Sequence, residues 1–432
     1  MLIFSLLVFV LIGILMCWVS VNKYHRLWNP IFVFFSMITL GVLFSYFDLT
    51  DIFATEERKI NGIWLLLAGS LFFSFSFLFG QRIPILSHRG EQRVIYRTKT
   101  LSKLTTISLV LGIISTLLSI HLVIQIAGDI SRVFLDAQAV RNDYLNRESA
   151  GGMMTFINLF VSINHLALFC LYPLAIKHKC RYAGLKLVIE LLVVLIGSII
   201  TMSKESFIFY CLIFISSYLM NSEGVKAELR FFRKYAVYLF LLLVILIVVV
   251  SFQRNYTESR YENYTEAVVG TISTYIAVPI TAFDNLIALP SKMLMGEQCF
   301  RPIVNILSRF GVTERISIFQ DDVSDNVNVY TMFGNMYNDY GYFGIVFLSI
   351  FFGIIMGFLY TKKDVNRFSH VVANSIILPT MFFGFYDFKF IQTVYPFTIL
   401  YSFFLGALLR RKLYLPKIYA NKYFGSTGFS VS

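Results

Sequence analysis

Four short stretches carry side chains whose types and spacing suit chemistry on anions and hydroxyl groups. Ser203-Lys204-Glu205-Ser206 sets a cation beside a carboxylate within one turn. Residues 331–344, TMFGNMYNDYGYFG, hold Asp339 among Tyr337, Tyr340, Gly341 and Gly344, with Tyr330 just before them. FYDFKFIQ (385–392) places Asp387 and Lys389 between aromatic rings. The 127–152 loop alternates Arg132, Arg141 and Arg147 with Asp129, Asp136, Asp143 and Glu148. Fixed cations stabilise a departing anion, arginine grips phosphate with two parallel hydrogen bonds, and a carboxylate deprotonates a hydroxyl. Each stretch also has a plain structural explanation. Ser, Asp and Gly are ordinary helix caps. Lys204 and Glu205 pair with each other while the lysine snorkels to an interface. The arginine-rich loop is a solvated helix with i,i+4 pairs, and 385–392 is an interfacial aromatic belt with a local ion pair.

These residues must be positioned by membrane spans. Of 432 residues, 57% are hydrophobic and 14% charged, and mean hydropathy is +0.70. A soluble domain holds about 25% charged residues, so a soluble enzyme, a disordered chain and a disulfide-stapled secreted domain are excluded. A bilayer needs about 20 apolar residues per helix. Eleven stretches qualify: 1–21, 30–47, 62–79, 104–126, 153–176, 187–202, 206–220, 235–252, 342–360, 370–386 and 392–409. The first begins without a charged n-region or a small-residue cleavage site, and reads as a retained span rather than a signal peptide. The expected architecture is all-α, one polytopic membrane domain over 1–432.

The connections sort by charge. The set 22–29, 80–103, 177–186, 221–234, 361–369 and 410–432 holds 24 Lys/Arg and 4 acids in 88 residues. The other set, 48–61, 127–152, 203–205, 253–341 and 387–391, holds 13 Lys/Arg and 20 acids in 137 residues. Basic connections stay cytoplasmic, which predicts an inner-membrane protein with its N-terminus outside and its C-terminus in the cytoplasm. The net charge of +12 is then a topology signal plus attraction to anionic membrane lipid, and implies no nucleic acid. All four candidate stretches fall on the outer side. Glu190 is the one acid inside a span, three residues from its cytoplasmic end.

The 253–341 connection has 89 residues, far beyond the usual loop length, and such loops are usually functional. Within it, 267–290 is semi-apolar but carries Pro279, Asp284 and Pro290. A twelfth span there would put later basic connections outside, so a re-entrant or interfacial helix fits better. Tyr256, Tyr261, Tyr264, Tyr330, Tyr337, Tyr340 and Tyr342 offer rings for stacking and hydroxyls for hydrogen bonds. Of five cysteines, Cys17, Cys170 and Cys211 fall in spans, Cys180 faces the cytoplasm, and Cys299 alone lies outside, so no disulfide forms there within one chain. No CxxC or Cys/His cluster suggests a metal. The Lys204 turn sits between spans of 16 and 15 residues, which would hold its charges below the surface, where a charge costs about 2.5–3.5 kcal/mol and points to function.

The chain resembles the Wzy family of bacterial oligosaccharide repeat-unit polymerases. The T-x-F-G-x-x-Y-x-D-Y-G-x-x-G run of 331–344, just before a span, is similar to the family's aromatic/Asp/Gly signature at the end of its large outer loop. The span count, the late large loop, the Ser-Lys-Glu turn and the arginine-rich loop add to the likeness. Arg141, ten residues and Gly152 also match an arginine–glycine spacing of some members, while the arginines of 253–341, at 254, 260, 301, 309 and 315, provide no second match. The resemblance implies a fold related to GT-C membrane glycosyltransferases and substrates that are undecaprenyl-diphosphate-linked oligosaccharides. It implies no metal or cofactor, and a chain-length regulator and a flippase as partners. On this reading Arg141, Lys204 and Arg254 meet diphosphate and Asp339 acts as base or positions the acceptor. Arg132, Arg147, Glu205, Tyr330, Tyr337, Tyr340, Gly341, Gly344, Asp387 and Lys389 line the substrates.

Two rival classes are weighed. An O-antigen ligase-like transferase relies on a histidine in its large outer loop, whereas the six histidines here, 25, 88, 121, 165, 178 and 370, all lie outside 253–341. A lipid-oligosaccharide flippase or other transporter predicts repeated halves and polar groups at mid-bilayer. The sequence offers no repeat and only Glu190. A sensor or scaffold without chemistry is a third reading.

Overall fold

The structure is a computed structural model that describes residues 2–47, 60–83, 96–135, 140, 153–201, 203–220, 224–235, 276–309, 312, 330–360 and 367–413. The expected eighth span, 235–252, lies almost wholly outside these residues, as do Arg141, Arg147, Gly152, Arg254, Tyr256, Tyr261, Tyr264 and the side chain of Lys204.

Every regular element described is helical. In chain order these are α1 (Leu2–Tyr24), α2 (Pro30–Phe47), α3 (Ile60–Gly80), α4 (Thr98–Ala127), α5 (Ile130–Leu135), α6 (Met153–Phe169), α7 (Tyr172–Lys177), α8 (Ala183–Ile200) and α9 (Lys204–Met220). α10 (224–235) and α11 (Ile276–Leu286) follow, then α12 (Arg301–Arg309), α13 (Met332–Leu359), α14 (Phe368–Phe382) and α15 (Val394–Leu413). Seven described helices are long and apolar enough to cross a membrane, and α2, α9 and α15 are shorter apolar helices at three further expected positions. The chain is thus a polytopic, all-helical membrane protein. Irregular backbone is costly in lipid, where no water satisfies it, and the long apolar runs leave helices as the solution.

Two groups of helices meet at α14. α3 and α13 pack along most of their length, and α1 and α2 lie beside them; α4, α6, α8, α9 and α15 form the other group. Small residues set the closest seam. A side chain at Gly353 or Gly357 would strike the Phe73 or Phe77 carbonyl, and one at Gly80 would strike the Ile354 carbonyl. Such seams suit membrane helices, whose association rests on close packing rather than on apolar burial. α14 contacts α2, α9, α13 and α15, and its residues from Val371 to Met381 are all buried.

Among the boundaries that differ from the sequence expectation, three bear on polar residues or turns. α8 begins at Ala183 rather than 187, because Tyr182, in the left-handed region at φ 58°, turns the chain into the helix. Glu190 is therefore seven residues inside the helix, about 10 Å along its axis, and not near its end. The fifth span breaks at Cys170–Leu171, and α7 restarts with Pro173 in its first turn, where a missing N–H costs nothing. α13 begins at Met332, ten residues ahead of the expected span, so Tyr337, Asn338 and Asp339 are helical. The described part of 267–290 forms α11, too short to cross a membrane and buried between other helices. There Ser45 and Thr281 hydroxyls lie 2.9 Å apart, and Tyr46 donates to Asp284 at 2.7 Å.

The basic turns gather at one end of the bundle. Arg26 donates to the Met220 carbonyl at 2.8 Å, and Glu228 of α10 accepts the Leu27 and Trp28 backbone N–H groups at 2.7 and 3.1 Å. Burial drives the Glu228 carboxyl upward, against those hydrogen bonds and Arg26.

Candidate functional site

The opposite end of the bundle brings three of the four candidate stretches together. α8 and α9 form a tight hairpin. The Ser203 N–H donates to the Ser198 carbonyl at 2.9 Å, and the Ser203 and Ser206 hydroxyls lie 2.8 Å apart. Glu205 stands in the first turn of α9, where a carboxylate is favoured by the helix dipole. After α14 the chain passes through two single-turn 3-10 segments, Phe383–Phe385 and Lys389–Ile391, before α15. This corner carries Asp387 and Lys389 against the start of α9.

Lys389 is the centre. Its ammonium lies 2.7 Å from Glu205 Oε1 and 2.7 Å from Asp387 Oδ2. The lysine side chain is 1% exposed, while Glu205 and Asp387 keep 31% and 25% of their side-chain surface. The Phe383 and Tyr386 rings stand 5.5 and 5.4 Å from the ammonium, near enough for cation–π attraction. Asp387 Oδ1 accepts the Phe388 N–H at 2.7 Å and the Asn335 amide at 3.4 Å, and Asn335 belongs to 331–344. Gln392 donates to Glu205 at 3.2 Å. Burial alone would raise the Asp387 carboxyl, but Lys389 and these hydrogen bonds outweigh it and hold the group below its ordinary value. Burial alone would lower the Lys389 ammonium; the two carboxylates reverse that and raise it. The centre sets one buried ammonium between two partly exposed carboxyl groups.

Its chemistry follows from that balance. Lys389 gives two of its three N–H donors to carboxylates and is almost wholly buried, so it offers little to an incoming anion. The accessible oxygens of Glu205 and Asp387 instead suit hydroxyl groups, as hydrogen-bond acceptors or as a base. Glu205 takes Lys389 as its partner, a pairing that the sequence spacing of 184 residues did not reveal. The aromatics beside Asp387 and Lys389, which read from sequence as an interfacial belt, pack inward, with Phe385, Phe388 and Ile391 buried.

Asp339 sits apart from this trio and is completely buried. Its Oδ1 accepts the Gln298 N–H at 3.0 Å and its Oδ2 the Cys299 N–H at 2.8 Å. The Asn338 and Asp339 carbonyls receive the Leu294 and Met295 N–H groups at 3.1 and 3.2 Å. Asp339 thus pins the turns before α12 onto α13. The glycines shape the same region. Gly341, at φ 62° and ψ −147°, forms the kink of α13 with Tyr340, a conformation essentially confined to glycine. Gly344 lies so close to the Met336 carbonyl that a side chain would collide with it. Tyr330 is buried against Gly334. Tyr337 is buried too and donates to the Leu289 carbonyl at 2.7 Å, so its hydroxyl serves the fold. Tyr340 is half-buried beside the kink. Arg132 is exposed and donates to the Ala127 carbonyl at 3.3 Å, capping α4.

Among the described residues no three His, Cys, Asp or Glu side chains are grouped to hold a metal ion, and the described cysteines are free thiols. No family model matches the chain, and no curated protein and no solved structure matches it.

Proposed function

We propose that this chain is a membrane glycosyltransferase that joins lipid-diphosphate-linked oligosaccharide repeat units into a longer surface polysaccharide at the outer face of the cytoplasmic membrane. The observation that carries this reading is the convergence of Glu205, Asn335, Asp387 and Lys389 from three helix starts, at the end away from the basic turns. The charge asymmetry of the connections supports reading that end as the outer one. The likeness of 331–344 to the Wzy signature, the 89-residue connection beside it and the GT-C class that the likeness implies support the same reading.

Glu205 and Asp387 would receive the acceptor sugar, with Lys389 fixing their orientation. One carboxylate takes the acceptor hydroxyl proton as the hydroxyl oxygen bonds to the donor anomeric carbon. The anomeric carbon–phosphate oxygen bond breaks, and the diphosphate leaves with the electron pair. Because Lys389 is already neutralised, the leaving charge falls to Lys204, Arg132, Arg141, Arg147 and Arg254. Asp339 holds the large connection against α13 as a positioning residue. Deleting the gene should collapse surface glycan to single repeat units, and restoring the Glu205→Gln, Asp387→Asn double variant should leave it collapsed. Long polymer in the deletion strain would overturn the reading.

A transporter of lipid-linked oligosaccharide is the second reading. The observation favouring it is the depth of Glu190, which stands buried mid-helix with a histidine partner, as polar groups on a transport path do. Flux across vesicles without polymer formation would select it.

A further inference from the structure

A second polar cluster lies inside the bundle, between α4, α6, α8 and α9. Glu190 of α8 is fully buried. Its Oε1 accepts the Ser108 hydroxyl at 2.8 Å and lies 2.7 Å from His165 Nε2. Its Oε2 meets the Tyr172 hydroxyl, which also reaches the Thr105 carbonyl at 3.0 Å. His165 Nδ1 lies 2.9 Å from the Tyr210 hydroxyl, with the two rings stacked 5.1 Å apart. The local sequence explains the gathering. α4 presents Ser102, Thr105, Ser108, Gly112 and Ser115 at spacings of three and four, which puts them on one helix face. Gly112 leaves room for the imidazole: a Cβ there would stand 2.8 Å from Nε2.

The hydrogens can be counted. Tyr172 has one hydroxyl hydrogen and two acceptors within reach. With the proton on Glu190 Oε1, the carboxyl donates to His165 Nε2 across 2.7 Å, His165 Nδ1–H donates to Tyr210, and Tyr172 donates to the Thr105 carbonyl. No net charge then remains. With that proton on His165, the imidazolium donates to Oε1 and to Tyr210, while Tyr172 turns to the carboxylate. The two arrangements differ by one proton moved between Oε1 and Nε2 and by the rotation of the Tyr172 hydroxyl, with no movement of heavy atoms.

We propose that His165 and Glu190 form a proton-exchange site within the membrane body, with Tyr210 as the passage to the end that carries Glu205. Tyr210 lies five residues beyond Glu205 on α9, about 7–8 Å along the axis. On release, the Tyr210 oxygen takes the proton from imidazole Nδ1 as its own hydroxyl hydrogen passes on toward that end, which leaves a neutral His165 beside the Glu190 carboxylate, and the new hydroxyl then rotates back toward Nδ1. The other titratable groups facing the pair and its outlet are few, and Tyr395 of α15 is among them, close enough to interact with both Tyr210 and Glu205. Cys170 and Tyr172 stand at the α6–α7 corner, and Cys211 lies next to Tyr210 on α9. α4 contributes only hydroxyls and carbonyls. Lys186, one turn back on α8, spends its ammonium on the Ser102 carbonyl and the Thr106 hydroxyl at 3.1 and 2.8 Å. The inference stands apart from the polymerase reading, since it needs no glycan.

The test is infrared difference spectroscopy of the full chain in lipid nanodiscs, titrated with pH in normal and heavy water. A carboxyl band that changes with pH and is lost in Glu190→Gln supports the site, whereas superimposable spectra of the two proteins overturn it. Tyr210→Phe keeps the ring stack and both exchanging groups, so it serves where Glu190→Gln fails to fold. It should slow deuterium exchange of the carboxyl band about tenfold, the scale of one lost hydrogen bond; an unchanged rate would mean that the cluster only ties helices together.

Discussion

Lys389→Met isolates the energetics of the charged trio. Methionine keeps most of the apolar stem while removing the ammonium. At an effective dielectric of about 20, each pair near 4 Å contributes about 4 kcal/mol of attraction, opposed by a desolvation cost of several kcal/mol per buried ion. Removing the lysine returns its own desolvation cost but leaves Glu205 and Asp387 facing each other unneutralised. Broken buried pairs cost about 3–5 kcal/mol. Because both carboxylates retain a quarter to a third of their surface, water screens them, and the lower figure of about 3 kcal/mol applies. At roughly 2 °C per kcal/mol for a large domain, the apparent melting temperature in detergent should fall by about 6 °C. The assay is the loss of soluble monomer on heating. The triple change Lys389→Met, Glu205→Gln, Asp387→Asn removes the stranded charges and should regain most of the loss. A single variant within about 1 °C of wild type, or a triple variant no better than the single, would refute the assignment of Lys389 as the neutralising centre.

Asp339→Asn leaves one of the Gln298 and Cys299 N–H groups without an acceptor and should cost about 1–3 kcal/mol, read as a lower melting temperature and faster proteolysis within 290–330. Gly341→Ala forces a side chain into the kink of α13 at a cost of about 1–3 kcal/mol, checked by the same melting assay. Asp387 is held below its ordinary value, so its contribution is present above the unfolded carboxylate range and is lost as pH falls through its folded value. Wild type should therefore lose more stability on acidification below about pH 4 than Asp387→Asn does, compared by melting across an acid series. A cysteine at Ser87 should be shielded from membrane-impermeant reagents in intact cells and one at Ser324 labelled; the reverse pattern would invert the assignment of the outer face.

The apolar runs made the helical membrane body legible, because a length of about 20 residues and low charge are sufficient to identify a span. Helix ends were less so. The first turns of α13 run from Met332 into YNDYG, a run of turn-like residues that reads as loop, and the helix carries its kink there at Tyr340 and Gly341. Glu190 was misplaced for a related reason: Ala183-Gly184-Leu185-Lys186 reads as a connection, yet the lysine is carried on the helix by Ser102 and Thr106. Lys389 was only half paired from sequence, which offered the local ion pair with Asp387. Its partners are Asp387, two residues away, and Glu205, 184 residues earlier, and spacing says nothing of the second.

A buried lysine with two carboxylates is an expensive way to fasten two helix starts, since apolar residues of similar volume are often as stable or more so. The other end of the bundle shows the cheaper way, with Arg26 and Glu228 spending their charges on backbone groups at helix ends. Charge retained in a partly open setting, where Glu205 and Asp387 still reach solvent, therefore points to use rather than to fastening. That argument separates the trio from Asp339, whose two oxygens are both consumed by the fold. Exchanging Glu205 for glutamine should consequently depress polymer formation far more than it depresses the melting temperature, whereas exchanging Asp339 for asparagine should depress both together. Polymer ladders at matched protein level, plotted against melting temperature for the two variants, would place both residues on one line if the trio were only a clamp.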